Sequence, residues 1–129
     1  MRTKALTLLL TIFFLIWTNY GFTDPQKEEG VKIGIASWYG GGEKLNKYTA
    51  SGEEFDPNKL TCASWDYSFG TKLLVTNLEN GKSVVVRVND RGPAKRLGRL
   101  IDLTREAFRR IADLKKGLIK VKVKVLKCG

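Results

Sequence analysis

Two aspartates, each at the end of a short apolar run, are the residues best placed for chemistry in this chain. Asp90 follows the valine-rich run 84–88, and Asp102 ends a second run shortly afterwards. Because β-branched residues favour strands, both carboxylates are expected where a strand meets a turn. Such a pair can share acid–base work, with one acid protonating a leaving oxygen and the other carboxylate stabilising positive charge. The alternative is structural, with Asp90 capping the turn and Asp102 paired with Arg91 or Arg99.

Other kinds of catalytic centre are excluded by residues that the chain lacks. Its 129 residues include no histidine, which excludes Ser-His-Asp and Cys-His nucleophilic systems and histidine-based metal sites. The glycine-rich string YGGGEK does not have the spacing of a phosphate-binding loop. We therefore predict neither a metal nor a cofactor.

Aromatic residues elsewhere in the chain offer surfaces for sugars. Trp38, Tyr39, Tyr48 and Trp65 could present apolar ring faces against which pyranose rings stack. The alternative is that rings such as Trp38 belong to an ordinary core. From residue types alone, the structural interpretations of both the acids and the rings have the advantage.

Residues 1–23 are predicted to be a signal peptide rather than part of the fold. A basic start precedes the apolar segment 5–17, which is too short to span a bilayer. Residues 24–30 are predicted to be a flexible leader, which leaves 31–129 as one domain. We expect cleavage and export to the periplasm or the cell exterior, with an uncleaved N-terminal anchor as the alternative. No cysteine follows the apolar segment directly, so a lipoprotein is not expected.

Export also bears on the cysteines and on the charge. In an oxidising compartment Cys62 and Cys128 are predicted to form a disulfide, which would contribute roughly 4 kcal/mol. The alternative is a pair of unpaired buried thiols. The net charge of +10 favours anionic polymers such as cell-wall glycans as partners, whereas export argues against nucleic acid. The domain is expected to be a monomer without a stable membrane span.

Local patterns predict a mainly β domain. The run 31–40 and the alternating run 118–126 are typical of strands, the second with its lysines on one solvated face. The Asn-Gly pair at 80–81 predicts a hairpin between two apolar runs. The segment 104–116 predicts the one convincing helix, with Thr104 as its N-cap. Several strands with one or two short helices favour a small β-barrel.

The order of several strings resembles the rare-lipoprotein-A-like domain family. The strings are GIASWYGGG, YTASGEEFD, LTCAS, VTNLENGKSVVVRVNDRGP and RLIDLTREAFRRIA, and together they lie within residues 32 to 126. The resemblance implies a six-stranded double-psi β-barrel akin to the expansin N-terminal domain and to barwin. It also implies a shallow groove that binds glycan.

The activity implied by the resemblance is lytic cleavage of peptidoglycan. A lytic transglycosylase cuts the bond between N-acetylmuramic acid and N-acetylglucosamine, often in strands stripped of their peptides, and leaves 1,6-anhydro ends. Matched position by position, Asp90 and Glu53 are the implied catalytic residues, with Asp90 acting first as acid and then as base. The predicted substrate-binding residues are Trp38, Tyr39, Tyr48, Thr49, Ser51, Ser64, Asn89, Arg91 and Asp102.

One string departs from the family pattern. Active members commonly have LTAAH where this chain has LTCAS, so Ser64 replaces a histidine. Serine forms hydrogen bonds but cannot exchange a proton near neutral pH. The departure keeps open a second function, a non-catalytic expansin-like or barwin-like module that binds glycan or loosens walls. If the domain is an enzyme, Asp90 is expected to hold its proton while Asp102 stays ionised.

Overall fold

The structure is a computed structural model that describes residues 30–129. The predicted signal peptide and all but the last residue of the leader lie outside the described residues, so both remain predictions. The described part contains one α-helix, α1, at Arg105–Ile111, and none of its helices is long and apolar enough to cross a membrane. Its six strands are β1 Val31–Tyr39, β2 Thr61–Ala63, β3 Lys72–Asn77, β4 Ser83–Asp90, β5 Ile101–Thr104 and β6 Ile119–Lys127.

The six strands form a closed barrel in the order β1-β5-β2-β4-β3-β6. The pairs β1–β5 and β2–β4 are parallel, while β2–β5, β3–β4, β3–β6 and β1–β6 are antiparallel. Closure gives each of the six strands a partner on both sides. The predicted six-stranded β-barrel is confirmed.

Alternation of side chains builds the core of the barrel. On β6, Val121 and Val123 are fully buried while Lys120 and Lys124 are exposed, which confirms the predicted solvated face of this strand. The predicted hairpin is confirmed between β3 and β4. Its turn holds Gly81 at a φ of 75°, a left-handed conformation that glycine adopts without steric cost.

The predicted helix begins as expected but is shorter than expected. The hydroxyl of Thr104 accepts a hydrogen bond from the backbone N–H of Ala107 at 3.3 Å, as an N-cap does. The prediction of helix through residue 116 is wrong beyond Ile111, because Ala112 is extended and Asp113 starts a separate 3-10 turn. The Asp113 carboxylate accepts a hydrogen bond from the backbone N–H of Lys115 and so competes with continued helix.

The predicted disulfide is wrong, because the two cysteines are unpaired. Cys62 lies on β2 and is fully buried in the core, whereas Cys128 follows β6 and is exposed. In the barrel order β2 and β6 are separated by two strands in either direction, so they form opposite walls. A disulfide would require Cα atoms within about 7 Å, but the Cys62 side chain is buried in the core, whereas Cys128 is exposed beyond the end of β6.

Candidate active site

A row of register partners brings the two aspartates together. Ala63 on the short strand β2 pairs with Asp90 of β4 on one side and with Asp102 of β5 on the other. The Cα atoms of the two aspartates are thus two strand spacings apart, about 10 Å. Because register partners project from the same face of a sheet, the two carboxylates flank β2 on one face, and Ala63 lies between them in the register.

These carboxylates line one open groove with a volume of about 670 Å³. Most of the predicted site residues line it, namely Trp38, Tyr39, Tyr48, Thr49, Asp90, Arg91 and Asp102. The groove walls also include residues that were not predicted: Glu43, Leu45, Asn46, Ala50, Phe55, Ala63, Gly92, Pro93 and Ala94. Four predicted residues are not among the lining residues, namely Ser51, Glu53, Ser64 and Asn89.

Asp102 is the carboxylate whose environment favours the protonated form. It stands between Ile101 and Leu103, which point into the core, so its own side chain faces the groove wall. Burial raises the pKa of Asp102 to about 6. The Ser37 hydroxyl, which donates a hydrogen bond to Asp102 Oδ1 at 3.1 Å, opposes this shift in part. The raised pKa was predicted for Asp90, whereas burial raises that of Asp102; at about 6 it leaves Asp102 mostly ionised at neutral pH but protonated in a usable fraction of molecules.

Asp90 is held by backbone donors. Its Oδ1 accepts hydrogen bonds from the N–H groups of Ala50 and Arg91, each at 2.9 Å. The first bond ties the long loop after β1 to the end of β4, and the second closes the turn that follows β4. Both bonds go to Oδ1, so within residues 30–129 no backbone N–H donates to Oδ2, which faces the groove beside the Tyr39 phenol.

Glu43 is a third groove carboxylate, and it was not predicted. Its two oxygens accept hydrogen bonds from the backbone N–H groups of Gly40 at 2.7 Å and Gly41 at 2.8 Å. The bond from Gly40 contributes most to lowering the pKa of Glu43, so this carboxylate is ionised. The string GGGE could have signalled the site, because glycine leaves backbone N–H groups accessible to a nearby carboxylate.

The aromatic residues of the groove differ in how far they are available to a ligand. Tyr48 has 57% of its surface exposed, and the Lys47 ammonium nitrogen lies 5.6 Å from the centre of its ring. Trp38 is committed to packing, because its indole N–H donates to the carbonyl of Leu114 at 3.1 Å and its ring lies 6.4 Å from that of Phe108. Burial, and next the charge of Asp90, strongly raise the pKa of Tyr39, so its phenol stays neutral in the groove wall.

Glu53 supports the groove from behind rather than lining it. Its two carboxylate oxygens accept hydrogen bonds from the Arg87 guanidinium at 2.8 and 2.7 Å, which forms a bidentate ion pair. This pairing with Arg87 lowers the pKa of Glu53. The turn before Glu53 is also fixed, because Thr49 Oγ1 donates to the Glu53 carbonyl at 3.0 Å and the Ser51 N–H donates to the Asn89 carbonyl at 3.2 Å.

The remaining predicted residues hold the segments around the groove. Ser64, at the position of the family histidine, is fully buried, and its hydroxyl accepts a hydrogen bond from the Asp66 N–H at 3.1 Å. Arg91 lines the groove, but its guanidinium donates to the carbonyls of Ser64 and Tyr67 at 2.8 and 2.9 Å. Asn89 is 2% exposed and lies beneath the site.

We expect Glu53→Gln to lower the free energy of unfolding by about 1 kcal/mol near neutral pH, because the half-exposed pair with Arg87 loses its charge. Since the folded-state pKa of Glu53 is lowered, this contribution is complete above the unfolded-state pKa of roughly 4.3 and is lost as the pH falls through the folded-state value. Urea unfolding of wild type and Glu53→Gln at several pH values measures it. The two curves should converge at acidic pH, and a constant difference would contradict the ion-pair assignment. Glu54→Gln is the matched control.

Comparisons with known proteins agree with this architecture. The chain is similar to the protein named probable endolytic peptidoglycan transglycosylase RlpA of a Nostoc species, 48% identical over 94 residues that cover 72% of this chain and 25% of that protein. It is similar to the protein of the same name in a Synechocystis species, 56% identical over 81 residues covering 63% of this chain and 25% of that one. The chain thus spans about a quarter of the length of these relatives.

Solved structures support the fold. A point mutant of a Clavibacter michiganensis expansin, solved in complex with cellohexaose, superimposes with a TM-score of 0.60 at 23% identity. The match covers 75% of this chain and 50% of the expansin. Residues 31–123 match the model of the family described as "Lytic transglycolase". Strand order, groove and family match together show that this chain belongs to the lytic transglycolase family of double-psi β-barrel domains.

Proposed function

We propose that this domain is an exported peptidoglycan lytic transglycosylase that cleaves between N-acetylmuramic acid and N-acetylglucosamine. One observation carries the proposal: two carboxylates in different environments flank Ala63 in a single groove. The names of the relatives, which designate peptidoglycan transglycosylases, support the choice of substrate. On this proposal the domain acts in the periplasm or at the cell wall, as a monomer without lipid attachment.

The two carboxylates divide the proton transfers. Asp102, which burial favours in its protonated form, donates its proton to the glycosidic oxygen as the bond from that oxygen to muramic C1 breaks. The muramic C6 hydroxyl then attacks C1, and the free oxygen of Asp90 accepts the hydroxyl proton. The bond from C1 to O6 closes the anhydro ring, no water is consumed, and exchange with solvent restores both carboxyl groups.

This assignment differs from the sequence-based one, which gave both transfers to Asp90. It needs no group at the position of the family histidine, because neither transfer involves Ser64. Glu43 and the carboxylate of Asp90 supply the negative charge that stabilises the oxocarbenium-like transition state. Glu53 is proposed to hold the 49–53 turn in place through Arg87.

Product analysis tests the proposal. Digestion of peptide-stripped glycan strands, followed by mass spectrometry, should yield 1,6-anhydro ends with wild type and none with Asp90→Asn. Asp56→Asn, a carboxylate outside the groove lining, serves as the matched control. Hydrolysed reducing ends in place of anhydro ends would overturn the transglycosylase assignment.

A second function is favoured by one observation, the replacement of the family histidine by Ser64. In this alternative the same groove binds glycan without cleaving it, as an expansin-like or barwin-like module would. Sedimentation with insoluble peptidoglycan distinguishes the two. Binding without any soluble product supports the module, and failure to bind any glycan removes both functions.

A further inference from the structure

Trp65 is an exposed and rigidly held ring just outside the groove. It has 48% of its surface exposed. Its indole N–H donates a hydrogen bond of 2.6 Å to the carbonyl of Pro93, and Pro93 and the next residue, Ala94, line the groove. The ring is therefore anchored to the groove wall by its one polar atom, so its orientation is set before any ligand arrives. The proposed proton transfers do not involve this ring.

A basic segment borders the same ring. Lys95 places its ammonium nitrogen 5.0 Å from the centre of the Trp65 ring. Lys95 and the adjacent Arg96 are both exposed, and within residues 30–129 neither has a carboxylate within 4.0 Å. The nearest acidic residue along the chain from Trp65 is Asp66, which is paired with Lys32 at 3.4 Å. The edge of the groove thus presents the apolar Trp65 ring beside two cations, Lys95 and Arg96, that have no carboxylate partner among the described residues.

From this geometry we propose that Trp65 and Lys95 form an outer glycan subsite for a sugar that bears a free carboxylate. The Lys95 ammonium group, which lies over the indole at 5.0 Å, would pair with the carboxylate, and the pyranose would stack on the exposed part of the ring. A muramic acid residue without an attached peptide has such a carboxylate on its lactyl group, whereas N-acetylglucosamine is neutral. The inference rests on the proposed function for the identity of the glycan, and it adds a specificity that the groove alone does not provide.

Binding measurements test the subsite independently of catalysis. Soluble peptide-stripped strands are titrated into the full-length protein, and the same strands are used with their carboxylates converted to neutral amides. Trp65→Ala should weaken binding about tenfold, as loss of an anchoring tryptophan does. Trp65→Phe, which keeps a ring, should recover part of the affinity. Thermal unfolding of each variant shows that the domain remains folded.

The role of the charge has its own control. Lys95→Gln should weaken binding to the natural strands about threefold at low salt. It should have no effect on the amidated strands. Lys124→Gln removes the same charge from an exposed position on β6, on the wall opposite β2. It should leave the affinity for both kinds of strand unchanged. Wild-type affinity in Trp65→Ala, or an equal effect of Lys95→Gln on both kinds of strand, would overturn the subsite.

Failure of the subsite and failure of the proposed function give different results. If wild type binds strands but forms no anhydro ends, the transglycosylase proposal fails while the binding test of Trp65 still applies. If anhydro ends form and Trp65→Ala binds and cleaves like wild type, the subsite fails and the transglycosylase proposal stands.

Discussion

Replacing Asp102 with asparagine is expected to slow the formation of anhydro ends by on the order of 10²- to 10⁴-fold, the contribution of a general acid. Asparagine keeps the shape of the side chain and can still accept the hydrogen bond from Ser37, but it has no proton to give. The rate is measured on soluble peptide-stripped strands. Asp66→Asn, which removes an exposed carboxylate outside the groove lining, should leave the rate unchanged.

The pH dependence of the wild-type rate should reveal the titration of the Asp102 carboxyl group. Because the acid works in its protonated form and its pKa is about 6, kcat/KM should fall as the pH rises through about 6. An aspartate with an ordinary pKa of roughly 3.9 would be protonated in only about one molecule in a thousand at neutral pH. Ser37→Ala removes a hydrogen bond that lowers the pKa of Asp102, so the inflection should move to higher pH.

Stability provides a check that these variants are folded. Burial raises the pKa of Asp102, so its contribution to stability is complete below the unfolded-state value of roughly 3.9 and is lost as the pH rises through about 6. Asp102→Asn removes this loss and should be at least as stable as wild type at neutral pH.

Two results would show that Asp102 is not the acid. One is a wild-type rate in Asp102→Asn, and the other is a kcat/KM inflection that does not move to higher pH in Ser37→Ala.

The second large effect concerns the core beneath the groove. Phe108→Ala is expected to lower the free energy of unfolding by about 3–5 kcal/mol, because a fully buried ring leaves a cavity. This is a large part of the total of about 5–15 kcal/mol that is usual for one domain. The ring also lies 6.4 Å from that of Trp38, so the cavity would open beneath the groove wall.

Urea unfolding measures this effect, and the protein supplies a matched control. Phe69→Ala removes the same side chain at a position that is 37% exposed, where the ring mainly faces the Arg91 guanidinium at 3.9 Å. A loss of about 1 kcal/mol is expected there. Equal losses in the two variants would contradict the assignment of Phe108 to the core.

Short-range features of this domain could be predicted from the sequence because they depend on residues that are neighbours along the chain. The Asn-Gly turn at 80–81, the alternation on β6 and the Thr104 cap each involve a span of a few residues. The family strings extended this to a six-stranded barrel and to Asp90 and Asp102 in one groove. The end of the helix at Ile111 was missed, although its cause, the side chain of Asp113, is local.

Only the tertiary structure decided how distant segments meet. The pairing of Ala63 with both aspartates depends on closure of the barrel around a three-residue strand that is buried throughout and shows no alternation. The burial of Cys62 in the core and the exposure of Cys128 follow from the same closure. The ion pair between Glu53 and Arg87 joins residues 34 positions apart, so no local pattern could predict it. The raised pKa of Asp102 has the same physical origin, because it depends on how deeply the folded barrel buries the side chain, and burial is a sum over contacts that no local pattern contains.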